Sequence, residues 1–195
     1  MKVICINGSP KQRGNTRILL ETICEELKQQ GIATEILSLA GQNLKGCSDC
    51  RACMQLKNKQ CVLPADVFNS FLAKMIEADG IILGSPVYSA DVTSQMKALL
   101  DRASMVLAAN KGLLKHKAGA AVVAARRGGG ISAFDTLTHF LHSKEMFLVG
   151  SNYWNMVYGN LPGEVAADAE GMANMKNLGE NMGWLLKRLN GSPEE

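Results

Sequence analysis

Short apolar runs alternate with amphipathic stretches along this chain, and polar turns separate them. Val3-Ile4-Cys5-Ile6 is apolar and β-branched, and it breaks into Asn7-Gly8-Ser9-Pro10-Lys11-Gln12-Arg13-Gly14-Asn15-Thr16. Over residues 17–30, Leu20, Ile23, Cys24 and Leu27 keep the spacing of a helix with one buried face, and Gly31 ends it. Residues 34–39 alternate as a second strand near a sheet edge. Val67, Phe68, Phe71, Leu72, Met75 and Ile76 form a helical stripe, and residues 80–85 an apolar strand between glycines. Met96, Leu99, Leu100 and Ala103 mark the next helix, Ala118–Ala125 a fully apolar strand, and Phe134, Leu137 and Leu141 a helix after it. Residues 145–150 read as a fifth strand and residues 151–163 as an aromatic loop with Tyr153, Trp154 and Tyr158. Met175, Leu178, Met182, Leu185, Leu186 and Leu189 mark a closing helix. Residues 40–64 keep neither period.

Five strands alternating with five helices predict an α/β fold, a doubly wound parallel sheet with helices on both faces. The 195 residues are enough for one domain, with the segment near 40–64 as an insertion. Right-handed crossovers put the turns after strands one, three and four at one end of the sheet. Those turns, 8–16, 85–89 and 126–130, hold the unusual residues, and ligands of such sheets sit at the carboxyl ends of the strands.

Composition narrows the classes. Hydrophobic residues make up 47% and charged residues 20%, a globular balance. The net charge of +3 is small and scattered, and residues 111–117, the densest basic run, read as a solvated connection. Nucleic acid is not an expected partner. No secretory signal precedes Val3, no apolar run could span a bilayer, and a cytoplasmic location is expected. Six cysteines in a reducing compartment suggest metal ligands or redox thiols rather than structural disulfides. Cys5 and Cys24 fall inside apolar patterns and read as small buried side chains. His116, His139 and His142 are too isolated to nominate for chemistry.

The first turn suits a phosphate. It joins strand to helix and offers backbone amides, the hydroxyls of Ser9 and Thr16, and cations at Lys11 and Arg13. A Walker loop is excluded, because five residues separate Gly8 from Gly14 and Asn15 stands where lysine would. A G-x-G-x-x-G dinucleotide loop is excluded because no second glycine follows at that spacing. A hydroxyl-rich grip on one phosphate remains, as does an ordinary well-capped turn. At the third strand, Pro86 and Tyr88 could lie along a planar ring, or Tyr88 could pack between helix and sheet. Arg126 with Gly128 and Gly129 could reach a ligand edge or form a flexible loop.

Cys47-x-x-Cys50-x-x-Cys53, followed after seven residues by Cys61, is the sharpest chemical signal. Successive C-x-x-C steps let thiolates grip corners of an iron–sulfur cubane, as ferredoxin motifs do. Structural zinc usually takes two pairs with a longer spacer, and reversible thiols are a third reading.

The run from Gly8 to Thr16 closely resembles the GSPR-x-x-GNT signature of the flavodoxin-like NAD(P)H-dependent FMN reductases, and Gly84-Ser85-Pro86-Val87-Tyr88 matches their GSPVY segment. With the compact cysteine motif, the chain resembles the iron–sulfur flavoproteins of anaerobic bacteria and archaea. One departure is Pro64-Ala65-Asp66, where related reductases often carry two consecutive acidic residues. The resemblance implies strand order 2-1-3-4-5, one FMN and one 4Fe-4S cluster per subunit, and a homodimer or homotetramer. It implies phosphate binding by Ser9, Lys11, Asn15 and Thr16, with Arg13 and Gly14 in the same loop. It further implies ring contact by Pro86, Val87 and Tyr88 beside Ser85 and Ser89, and cluster ligation by Cys47, Cys50, Cys53 and Cys61. The expected function is electron transfer from ferredoxin or NAD(P)H to a small acceptor. A clusterless NAD(P)H-dependent FMN or quinone reductase is the second expectation, and a non-catalytic carrier or zinc-binding module the third.

Overall fold

The computed structural model describes residues 1–63 and 66–191, so Pro64 and Ala65 of the cysteine segment and the last four residues lie outside it. Strands β1 (Lys2–Asn7), β2 (Ala33–Ser38), β3 (Gly80–Pro86) and β4 (Ala118–Ala125) alternate with helices α1 (Asn15–Gln29), α3 (Phe68–Glu77), α4 (Ser94–Ala109) and α5 (Gly130–His142). A short helix, α2 (Ala52–Leu56), interrupts the cysteine segment. Two short strands, β5 (Phe147–Leu148) and β6 (Met156–Tyr158), precede the closing helix α6 (Ala169–Leu189).

All pairings in the sheet are parallel, in the order β2-β1-β3-β4-β5, as the resemblance implied. The fifth position differs from the expectation of one strand over 145–150. Phe147 and Leu148 pair with Ala118 and Gly119, and Met156 to Tyr158 pair with Val123 to Ala125 further along the same edge of β4. Between them the chain leaves the sheet, and buried Asn155 spans the gap. Its Nδ2 donates to the Ala121 carbonyl at 3.0 Å and its own carbonyl accepts the Val123 amide at 2.9 Å. The segment expected to be an aromatic loop thus contains a strand.

Period-two alternation in the central strands builds two cores. Ile4, Ile6, Ile81, Leu83, Ala121 and Val123 face α3, α4 and α5, meeting Phe68, Leu72, Met96, Leu99 and Leu137. Val3, Cys5, Ile82, Ala120 and Val122 face α1 and α6, meeting Leu20, Ile23, Leu27, Met175 and Leu186. Burial on both faces is why β3 and β4 are unbroken apolar runs. Cys5 and Cys24 are buried here with their sulfurs 3.5 Å apart, packing α1 onto β1. No helix among the described residues is long and apolar enough to cross a membrane.

Candidate flavin and cysteine sites

The turn after β1 is braced from within. Buried Asn7 accepts the Ser9 amide through Oδ1 at 3.1 Å, and Ser9 Oγ accepts the Lys11 amide at 3.1 Å. Both are the short local bonds by which Asn and Ser favour turns over regular structure. Because its oxygen already accepts, the Ser9 hydroxyl keeps its proton to donate. Gly8 runs so close to β3 that its amide meets the Gly84 carbonyl at 2.7 Å. A Cβ there would stand 2.7 Å from Met96 Cε.

Helix α1 then starts at Asn15 with a free N-terminus. Arg17 and Ile18 donate to the Gly14 carbonyl at 3.0 and 3.4 Å, and the amides of Asn15 and Thr16 have no acceptor among the described residues. Thr16 Oγ1 is buried and also without a partner. A buried hydroxyl without a partner is costly, and the open amides of a helix N-terminus beside it favour an anion.

They line a cavity of about 250 Å³ with Ser9, Lys11, Gly14, Pro86, Val87, Tyr88, Ala124, Arg126, Gly159, Asn160 and Pro162. Lys11 and Arg126 are its charged lining residues, and no carboxylate lines it among the described residues. Of the residues singled out in the sequence, nine converge here: Ser9, Lys11, Gly14, Asn15, Thr16, Pro86, Val87, Tyr88 and Arg126. Arg13 is exposed outside this lining. Ser85 is fully buried, accepting the Thr93 amide at 3.2 Å and donating to the Pro86 carbonyl at 2.9 Å. Ser89 is exposed in a tight turn with φ +47°. Gly128 is exposed, and Gly129, at φ +81°, packs on that turn: a Cβ on it would stand 2.8 Å from Ala90 Cα. Asp91 secures the turn, exchanging backbone bonds with Tyr88 at 2.8 and 3.0 Å and accepting Thr136 Oγ1 of α5 at 2.8 Å.

Asn15 takes a part its motif does not reveal. Its Nδ2 donates to the Gly159 carbonyl at 3.1 Å and its Oδ1 accepts the Gly163 amide at 2.8 Å, tying the first turn to the loop after β6. That loop adds Gly159, Asn160 and Pro162, which the sequence reading missed. The available signal was the turn run Gly159-Asn160-Leu161-Pro162-Gly163 directly after Met156-Val157-Tyr158. Glu164 pins the same loop by accepting the amides of Asn160 at 2.7 Å and Leu161 at 2.9 Å. Those bonds, Leu161's foremost, hold its carboxyl below the usual range.

The second cluster gathers against α4, with Cys53 on α2 and Cys47, Cys50 and Cys61 in the segments on either side of it. Cys47, Cys50, Cys53 and Cys61 line one small cavity, about 20 Å³, whose other walls include Arg51, Arg102, Met105 and Val106. All four are free thiols; Cys53 is buried, Cys61 half-buried, and Cys47 and Cys50 exposed. Left-handed backbone at Asp49, Arg51, Lys57 and Lys59 folds the segment back on itself, which explains its lack of a period. Asn69 of α3 closes it, exchanging bonds with the Cys61 amide and carbonyl at 2.9 Å each. Burial pushes the Cys53 thiol up, opposed by the Met54 amide. Among the described residues, no three His, Cys, Asp or Glu side chains are gathered closely enough to hold a single metal ion.

Both sets of residues suit the groups the resemblance implies. The orphaned Thr16 hydroxyl and the open α1 N-terminus fit a flavin monophosphate, and four free thiols are the donor set of an iron–sulfur cluster.

Comparison with known proteins agrees. Residues 1–160 match the family model described as NADPH-dependent FMN reductase. An iron–sulfur flavoprotein of Methanocaldococcus jannaschii is 37% identical over 194 residues, covering 96% of this chain and 98% of its own. Among solved structures, RosB with a bound 8-demethyl-8-formylriboflavin-5'-phosphate superposes with a TM-score of 0.77 at 16% identity, over 100% of this chain and 82% of its own. A flavodoxin from the domain Archaea gives 0.61 at 16% identity, over 96% and 99%. These two show the fold. The chain belongs to the NADPH-dependent FMN reductase family and, within it, to the iron–sulfur flavoproteins. It is a flavin-dependent oxidoreductase on a flavodoxin-like fold.

Proposed function

We propose that this protein carries a four-iron cluster on Cys47, Cys50, Cys53 and Cys61 beside its FMN, and passes electrons from a ferredoxin or NAD(P)H to a small acceptor. FMN supplies chemistry in one- and two-electron steps, which lets a two-electron donor communicate with a one-electron centre. The residues bind and orient. Ser9, Thr16 and the α1 N-terminus hold the phosphate, Lys11 and Arg126 offset its charge, and Pro86 to Tyr88 shape the wall for the ring. Phosphate binding by the Asn15 side chain is not part of this reading, since both its polar atoms serve the loop after β6.

The observation that carries the cluster is the gathering of all four thiols on one cavity. A zinc site needs its four sulfurs within about 2.3 Å of one point. A cubane sets each thiolate on a different iron, and three successive C-x-x-C thiols followed by a fourth suit that arrangement. The family match favours a second reading, an NAD(P)H-dependent flavin reductase without a cluster. A homodimer or homotetramer accords with the exposure of Tyr153, Trp154, Tyr158 and Leu161.

Anaerobic purification followed by absorption spectroscopy and by iron, sulfide, zinc and flavin analysis tests the proposal. Flavin bands over a broad iron–sulfur shoulder, with four irons per chain, are expected. Flavin alone with rapid NAD(P)H oxidation selects the second reading, and zinc with no flavin overturns both.

A further inference from the structure

Arg102 is the largest fully buried side chain among the described residues, and two of its three guanidinium nitrogens have no partner among them. It projects from α4 into the wall of the cavity that the four cysteines line. Its guanidinium carbon sits 4.2 Å from the centre of the Phe68 ring. Nη1 is fully engaged, donating to the Lys45 carbonyl at 3.2 Å and to the Asp66 carboxylate. Nε and Nη2 are buried and have no partner among the described residues.

Those two nitrogens form one edge of the guanidinium, the side-on fork whose parallel N–H groups match a pair of acceptors or a large anion. A buried cationic edge of this kind calls for negative charge. Asp66 satisfies the other side, so it does not meet that need. The groups that share the cavity with Arg102 are the four sulfurs, Ser48, Arg51 and apolar side chains. Sulfur becomes a strong acceptor only as thiolate or as the sulfide of a cluster. Four thiolates on a four-iron cluster leave it net negative, and more so once it has accepted an electron.

We propose that Arg102 is a positioning residue of the iron–sulfur site: its free Nε–Nη2 edge donates to the sulfurs of the cluster held by Cys47, Cys50, Cys53 and Cys61, favours the reduced form and so raises its reduction potential. Hydrogen bonds to cluster sulfurs and nearby charge are the levers by which a protein sets such potentials. This inference rests on the cluster reading above. It explains why a cation is buried in an apolar helix face, where leucine would pack at less cost.

The test is an EPR-monitored redox titration of the full chain, anaerobically reconstituted with iron and sulfide, with FMN content measured on the same samples. Arg102→Lys keeps the charge and loses the fork. Arg102→Met combined with Asp66→Asn removes the ion pair as a unit, so that no buried carboxylate is stranded. Both variants are expected to keep FMN and iron. The midpoint potential of the cluster is expected to fall, further in the double variant than in Arg102→Lys, with altered EPR line positions in each. If the double variant does not fold, Arg102→Lys decides alone by its potential and line positions. An unchanged potential and spectrum in iron-loaded variants overturns the inference and leaves the cluster reading intact. Iron lost from both variants while FMN stays bound also overturns it, because Arg102 then only shapes the loop. A wild-type chain that takes up no iron sinks the cluster reading and this inference together.

Discussion

Thr93 Oγ1 donates to the carbonyl of Gly8 at 2.6 Å while accepting the amide of Met96 at 3.2 Å. One hydroxyl therefore caps α4 and clamps the turn after β1, 85 residues away in sequence. The side chain is fully buried, so neither bond is exposed to water. Thr93→Val is expected to cost about 1–2 kcal/mol in urea unfolding, the usual loss for an N-cap. It should also weaken FMN binding, because the turn proposed to hold the phosphate loses its anchor. A variant with full stability would show that another group replaces the cap.

Thr16→Val separates binding from folding. The hydroxyl has no partner among the described residues, so its replacement by a methyl should leave the stability of the flavin-free protein unchanged or raise it. FMN affinity should drop about tenfold, roughly the 1.4 kcal/mol of one hydrogen bond to a charged group. Flavin fluorescence quenching measures it. Unchanged affinity would remove Thr16 from the phosphate site.

Gly129 and Ala90 test how the second and third turns meet. Gly129 has φ +81°, and a Cβ there would lie 2.8 Å from Ala90 Cα. Gly129→Ala should therefore destabilise by about 1–3 kcal/mol and displace the Val87–Tyr88 wall, read as weaker flavin binding. Ala90, itself at φ +62°, tolerates the opposite change. Ala90→Gly should be neutral or stabilising by at most about 1 kcal/mol, since relief of left-handed strain offsets the added chain entropy.

Glu164 gives the cavity an acid limit. Its carboxyl is held below the ordinary value of 4.5 by the amides of Leu161 and Asn160. A depressed carboxyl contributes stability that is present above its unfolded value and lost as pH falls through its folded one. The loop bearing Asn160 and Pro162 should thus loosen below about pH 4.5, with faster FMN release. In Glu164→Gln that extra acid sensitivity should disappear, while FMN binding at pH 7 is weaker than in the wild type. Flavin release measured against pH in both proteins checks the sign.

Cys53→Ser should abolish iron uptake and leave FMN bound, because the cysteine cavity and the flavin cavity have no lining residue in common. Iron content that does not change would remove Cys53 from the ligand set.

Much of this was legible before any coordinates. The fully apolar runs of β3 and β4 could only be central parallel strands, and the residues that suit a phosphate in the first turn, Ser9, Gly14 and Thr16, were readable because they lie near one another in sequence. The strand Met156–Tyr158 was hidden, since its three residues follow an excursion that Asn155 bridges with its side chain. No period survives in so short an element. Asn15 was recognised as a site residue, yet its bonds to Gly159 and Gly163 join positions more than 140 apart, which no local pattern records.

The sequence by itself determined the class of fold, the turn proposed to hold the phosphate and the spacing of the cysteines proposed for the cluster. Each is a property of neighbouring residues: burial period, turn-forming side chains, ligand spacing. Only the tertiary structure decided that the loop after β6 completes the wall of the cavity proposed for the flavin and that buried Arg102 shares a cavity with four cysteines. Both depend on which elements the sheet and its crossovers bring together, and long-range packing is set by the whole chain at once rather than by any segment of it.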